Sequence, residues 1–223
     1  MSSREYIQAL TKFVVGLAVV MALLFIPAGT LNYWQAWLFI GILFVPMLVI
    51  GIVLMCCNPE LLRKRLNAKE KEQEQQSVVA MSSMLFVAMF VIAGLNIRFG
   101  WCILPGWLVI LASVDFLLGY GMYAEVMREN VWLSRTVEVQ EHQQVVDTGL
   151  YGIVRHPMYT ATLALFLDTP LILASPWSFA IILLYIPIIV KRIHNEEALL
   201  SRELSGYSEY MQRVRYRLIP YIW

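Results

Sequence analysis

The run MYTATLALFLDTPLILASPWSFAIILLYIPIIV, from Met158 to Val190, decides the fold. It is 33 residues long and carries one charge, Asp168. A bilayer core about 30 Å thick is crossed by roughly 20 apolar helical residues, so this run is nearly two crossings long. Pro170 and the turn signal Ala174-Ser175-Pro176 stand near its middle. The reading is a helical hairpin with its tip at that turn.

Four further apolar runs lie upstream, at about 13–29, 34–57, 78–97 and 101–124. The expected fold is therefore an all-α integral membrane protein of about six transmembrane helices, with a C-terminal helical hairpin. The chain is 59% hydrophobic and 15% charged, with a mean hydropathy of +0.64. A soluble domain is about a quarter charged, so soluble and disordered classes are both excluded. A net charge of +1 leaves no basic field for nucleic acid. Cys56, Cys57 and Cys102 form neither a disulfide framework nor a zinc spacing. No transporter-type internal repeat is visible.

Charge sets the orientation. Of 17 Lys and Arg residues, all but Arg98 fall in 1–12, 58–77, 125–157 and 191–223. Under the positive-inside rule these segments, and both termini, are cytoplasmic. The first span lacks a convincing cleavage site and reads as a retained helix rather than a signal peptide. Tyr33, Trp34, Trp37, Trp101, Trp107 and Trp177 cluster at the opposite boundary, where amphipathic rings favour the headgroup level. Two regions are expected: 1–129, holding the first helices and a cytoplasmic loop, and 130–223, holding the hairpin and an amphipathic tail.

The connector 58–77 mixes Arg63, Lys64, Arg65, Lys69 and Lys71 with Glu70, Glu72 and Glu74, and reads as a solvated helical loop. Cys56 and Cys57 at its edge read as ordinary buried thiols, with palmitoylation as the alternative. Asp115 and Asp168 fall inside spans. A carboxylate there is a candidate for lining a substrate path, because its desolvation is costly; the plainer reading is a hydrogen-bonded helix contact.

The chemistry concentrates on the cytoplasmic flanks of the hairpin. Gly149-Leu150-Tyr151-Gly152-Ile153-Val154-Arg155-His156-Pro157-Met158-Tyr159 leads into the fifth span. Pro157 suits the first turn of a helix, which places His156 at a terminus with unpaired N–H groups and a positive dipole end. After the sixth span comes Lys191-Arg192-Ile193-His194-Asn195-Glu196-Glu197. Arg192 and Glu196 share a helix face. The stretch Leu199, Leu200, Leu204, Tyr207, Tyr210, Met211, Val214 and Leu218 recurs at roughly helical spacing. It reads either as an interfacial helix or as a cover over a pocket.

In this order Gly149-x-Tyr151, Arg155-His156-Pro157-x-Tyr159, the hairpin, Arg192-x-x-x-Glu196-Glu197 and Tyr216-Arg217-Leu218-Ile219-Pro220 resemble the isoprenylcysteine carboxyl methyltransferase family, one of the membrane phospholipid methyltransferase-like enzymes. The resemblance covers about residues 130–223. It implies S-adenosylmethionine bound at the cytoplasmic face and a lipophilic acceptor arriving from the bilayer, most simply a prenylcysteine-like carboxylate. By position it implies cofactor contacts from Gln143, Gln144, Val145, Val146, Tyr151, His156, Pro157, Met158, Tyr159 and Glu196, and an acceptor-facing Arg192. The eukaryotic members carry a His, a small polar residue and Leu-Val where this chain has Gln143-Gln144-Val145-Val146. The expected contact there is therefore through the backbone.

A carboxylate acceptor is already ionised at neutral pH and needs a positive partner, which a guanidinium supplies with a planar fork. An amine or thiol acceptor needs a proton acceptor instead, for which Glu196 or Glu197 is the candidate; Arg192 and Glu197 are thus the expected catalytic pair. No metal ligand set is seen. Phospholipid amines and thiols remain alternative acceptors. The sterol reductases that use NADPH share the His-Pro-x-Tyr segment, but usually continue with Gly-Glu where this chain has Thr160-Ala161. A non-enzymatic small transporter is the third class.

Overall fold

The computed structural model describes residues 3–66, 73–133 and 139–223. The side chains of 64–75, which make up the charged part of the connector, lie outside the described residues. Among the described residues all regular structure is helical. The helices are α1 (Ser3–Ala28), α2 (Trp34–Cys57), α3 (Pro59–Leu66), α4 (Gln73–Phe99), α5 (Gly106–Glu129), α6 (Pro157–Ile172), α7 (Pro176–Ile182), α8 (Tyr185–Glu203) and α9 (Tyr207–Arg213), with a 3-10 turn at Gly149–Gly152. In hydrocarbon every backbone N–H and C=O needs a partner within the protein, and a helix supplies it locally.

Five segments are long and apolar enough to cross a membrane: Tyr6–Ala28, Trp34–Cys57, Gln76–Phe99, Gly106–Glu129 and Pro176–Glu203. The sequence reading expects six. The difference lies in the first arm of the hairpin. α6 has 16 residues, a rise of about 24 Å, which is short of the bilayer core. Its start is recessed because the chain before it and the tail are bonded over it. The Arg155 and His156 amides donate to the Tyr216 and Arg217 carbonyls at 2.9 Å each. The hairpin itself is present, with its tip at Leu173–Ser175. Its second arm is broken at Leu183–Leu184 because Pro187 has no N–H to offer the Leu183 carbonyl.

The tip anchors one end of the bundle. The Tyr33 hydroxyl donates to the Leu173 carbonyl at 2.7 Å, and the Leu104 amide donates to the Ala174 carbonyl at 3.1 Å. Tyr33 is thus a buried clamp rather than an interface residue, whereas Trp34, Trp37, Trp101, Trp107 and Trp177 are exposed as expected. The core draws Leu24, Phe39, Met89 and Phe116 from one side of residue 130, and Ile172, Ile182 and Ile189 from the other. At Gly94, a Cβ would come within 2.6 Å of the Leu24 carbonyl oxygen, so α1 and α4 touch backbone to backbone.

Cys56 and Cys57 are exposed, not buried, because they fall on the outward face at the end of α2. Asp168 is buried, and its Oδ2 has no hydrogen-bond partner. Neither Asp168 nor Asp115 of α5 lines the cavity described next.

Candidate active site

The site is at the other end of the bundle, where α4 and α6 begin and α5 and α8 end. Four segments converge there: 139–156, the start of α6, the end of α8, and 204–218. The first is pinned to α5. The Thr148 hydroxyl donates to Glu129 Oε1 at 2.6 Å, and Gly149 follows with φ +52. A Cβ at Gly149 would overlap the Glu129 carboxylate, so both the space and the left-handed backbone require glycine. Asn130 Nδ2 then donates to the Tyr151 hydroxyl at 2.9 Å, and the Tyr210 hydroxyl donates to the Tyr151 carbonyl at 2.7 Å.

Arg155 and His156 are buried at the entry to α6, with Pro157 as the first helical residue. Arg155 Nε donates to Glu197 Oε1 at 2.7 Å, and its Nη1 reaches the Val214 and Arg215 carbonyls at 2.8 and 2.9 Å. His156 Nε2 lies 3.2 Å from the same Glu197 oxygen, and Arg217 Nε donates to Glu197 Oε2 at 2.9 Å. One buried carboxylate therefore ties α6, α8 and the tail together. The Thr160 hydroxyl adds a bond to the Leu218 carbonyl at 2.8 Å.

Beside this knot is a cavity of about 450 Å³. Gln143, Gln144, Val145 and Val146 form one wall, and Tyr151, His156, Met158 and Tyr159 form a second. Arg192 and Glu196 face them from α8. Arg192 Nε donates to the Tyr159 hydroxyl at 3.0 Å, and that hydroxyl donates to Glu196 Oε2. Tyr159 thus joins the cation and the carboxylate of the cavity wall. Two sequence-predicted residues do not line the cavity. Pro157 only starts the helix, and Glu197 is turned into the knot behind the wall.

Leu200, Leu204, Tyr207 and Tyr210 cover the cavity. The tail is therefore a cover and not an interfacial helix lying apart; Gly206, at φ +83, breaks it between α8 and α9. The Tyr207 hydroxyl is buried with no hydrogen-bond partner. Burial, with Glu196 and Glu197 nearby, pushes its titration far above that of an ordinary tyrosine. Sequence reasoning missed Asn130, Trp132 and Tyr123 in the lining, and also Phe86, Phe166 and Tyr185. Asn130 carries no motif, and Phe86, Phe166 and Tyr185 are indistinguishable in sequence from bundle core.

Residues 101–205, from just before α5 to just after α8, match the family model described as phospholipid methyltransferase. The Delta(14)-sterol reductase TM7SF2 of Mus musculus is 31% identical over 91 residues, covering 40% of this chain and 22% of that protein. The chain thus matches about a fifth of that relative's length.

Proposed function

We propose that the protein is a multi-pass membrane methyltransferase that uses S-adenosylmethionine and acts on a lipophilic acceptor, most simply a prenylcysteine-like carboxylate. The observation that carries this reading is the hydroxyl of Tyr159, which links Arg192 to Glu196 in the wall of a single cavity. The match of residues 101–205 to a methyltransferase family supports it.

The residues fit the donor. A cavity of 450 Å³ lies within the usual range for small-molecule sites. The wall 143–146 offers backbone groups, Tyr151 a hydroxyl, and Glu196 a negative charge toward a cationic ligand. When bound, S-adenosylmethionine supplies an electrophilic methyl group, so alignment is the main task left to the protein. In this reading Arg192 receives the acceptor carboxylate with its planar fork. Tyr159 fixes the direction of that guanidinium and of Glu196 together. Leu204, Tyr207 and Tyr210 exclude water from above. Glu197, bonded to Arg155, His156 and Arg217, holds the wall's shape.

A phospholipid amine acceptor is the neighbouring alternative, favoured by the family description; Glu196 would then take the proton. A reductase reading has the sterol reductase likeness in its favour. Calorimetric titration of the detergent-solubilised protein with S-adenosylmethionine and with NADPH separates the classes. Binding of the sulfonium alone is the expected result, and binding of NADPH alone would overturn the proposal.

A further inference from the structure

The cavity has a floor made of three aromatic rings. Its lining follows α4 inward through Val78, Val79, Ser82 and Ser83, and the deepest lining residue on that helix is Phe86. On α6 the deepest is Phe166, and on α8 it is Tyr185. The rings touch one another across three helices: Phe86 to Phe166 at 4.4 Å between centroids, Phe166 to Tyr185 at 5.1 Å, and Phe86 to Tyr185 at 6.0 Å. Beneath them lie the fully buried Met89 and Ile182.

The chamber above the floor is apolar although it contains hydroxyls. Ser82 and Ser83 donate to the Val78 and Val79 carbonyls at 2.7 and 2.8 Å, and Thr162 donates to the Met158 carbonyl at 2.8 Å. Each hydroxyl is turned back onto its own helix and presents mainly carbon to the chamber. Its depth follows from helix geometry. Phe166 is seven residues beyond Tyr159, and Tyr185 is seven before Arg192. Each interval is about 10 Å of rise. The two antiparallel helices therefore put the floor at one level, about 10 Å below the Arg192–Tyr159–Glu196 group.

We propose that the Phe86–Phe166–Tyr185 cluster is a specificity determinant that limits the apolar tail of the acceptor to about 10 Å below the reacting group. An extended chain advances about 1.2 Å per bond, so about eight bonds fit and a much longer tail does not. This rests on the methyltransferase reading and narrows its substrate class to short-tailed lipophilic acids.

The test uses the whole chain in detergent, labelled S-adenosylmethionine, and N-acetylcysteine acceptors bearing S-pentyl, S-dodecyl or S-hexadecyl groups. Donor binding is measured separately by calorimetry. Wild type should methylate the pentyl acid at least tenfold more efficiently, in kcat/KM, than the hexadecyl acid. Phe86→Ala should reduce that ratio at least fivefold, and Phe166→Ala should act in the same direction. Phe86→Leu, read against its melting temperature, serves if the alanine variants unfold. Equal efficiencies for all lengths in wild type would overturn the floor, as would an unchanged ratio in every folded variant. Donor binding with no methylation of any member would overturn the acceptor reading and the floor with it. No donor binding would overturn the proposed function itself.

Discussion

Glu197 has both carboxylate oxygens committed, one to Arg155 and His156 and the other to Arg217. Removing one partner from a buried charged group costs about 3 kcal/mol or more. Glu197→Gln should therefore lower the melting temperature clearly, and turnover should fall only with the folded fraction. A loss of turnover at unchanged melting temperature would return Glu197 to a chemical role. Arg192 and Glu196 should behave differently. Arg192→Lys keeps the charge but loses the fork, so methyl transfer should drop tenfold or more, about 1.4 kcal/mol for each tenfold, with donor affinity nearly intact. Glu196→Gln should instead weaken donor binding, because a neutral amide then faces the sulfonium. Measuring turnover, donor affinity and melting temperature on both variants decides this; parallel losses in all three would mean a purely structural pair.

At the level of elements, the apolar runs made the long helices legible, and Pro157 and the Ala174-Ser175-Pro176 turn marked the two ends of α6. Its shortness was not legible. It depends on hydrogen bonds between 155–156 and 216–217, residues about sixty apart in sequence, which no periodicity records. The face shared by Arg192 and Glu196 could be read from their spacing, but not the hydroxyl of Tyr159 that joins them. Nor could Glu197 be told from Glu196, since adjacent helical residues point about 100° apart and only packing decides which one meets the cavity. The same dependence on close approach makes Gly94 a sensitive point. A methyl group added there would sit 2.6 Å from the Leu24 carbonyl oxygen, so Gly94→Ala must push α1 off α4. Membrane helices associate through such small-residue contacts. The expected result is a melting temperature lowered by several degrees, and more protease cleavage in the 29–33 turn.

For the whole molecule, the turns at 29–33, 100–105 and 173–175 meet at one end and the cavity opens at the other, so the bundle has one working face. The positive-inside rule predicts a cytoplasmic position for that face. Reporter fusions at Asn32 and Arg98 should read external and a fusion at Glu141 cytoplasmic; a cytoplasmic signal at Arg98 would reverse the assignment. The backbone bonds between 155–156 and 216–217 also impose an order in time. A ribosome delivers residues 143–159 well before 214–218, so the first wall of the cavity waits, unbraced, while the hairpin inserts. Contacts so distant in sequence form late, after the local helices. A chain halted after Arg213 should therefore enter the membrane and still bind no methyl donor, whereas one extended through residues 214–218, which close over the waiting wall, should bind it.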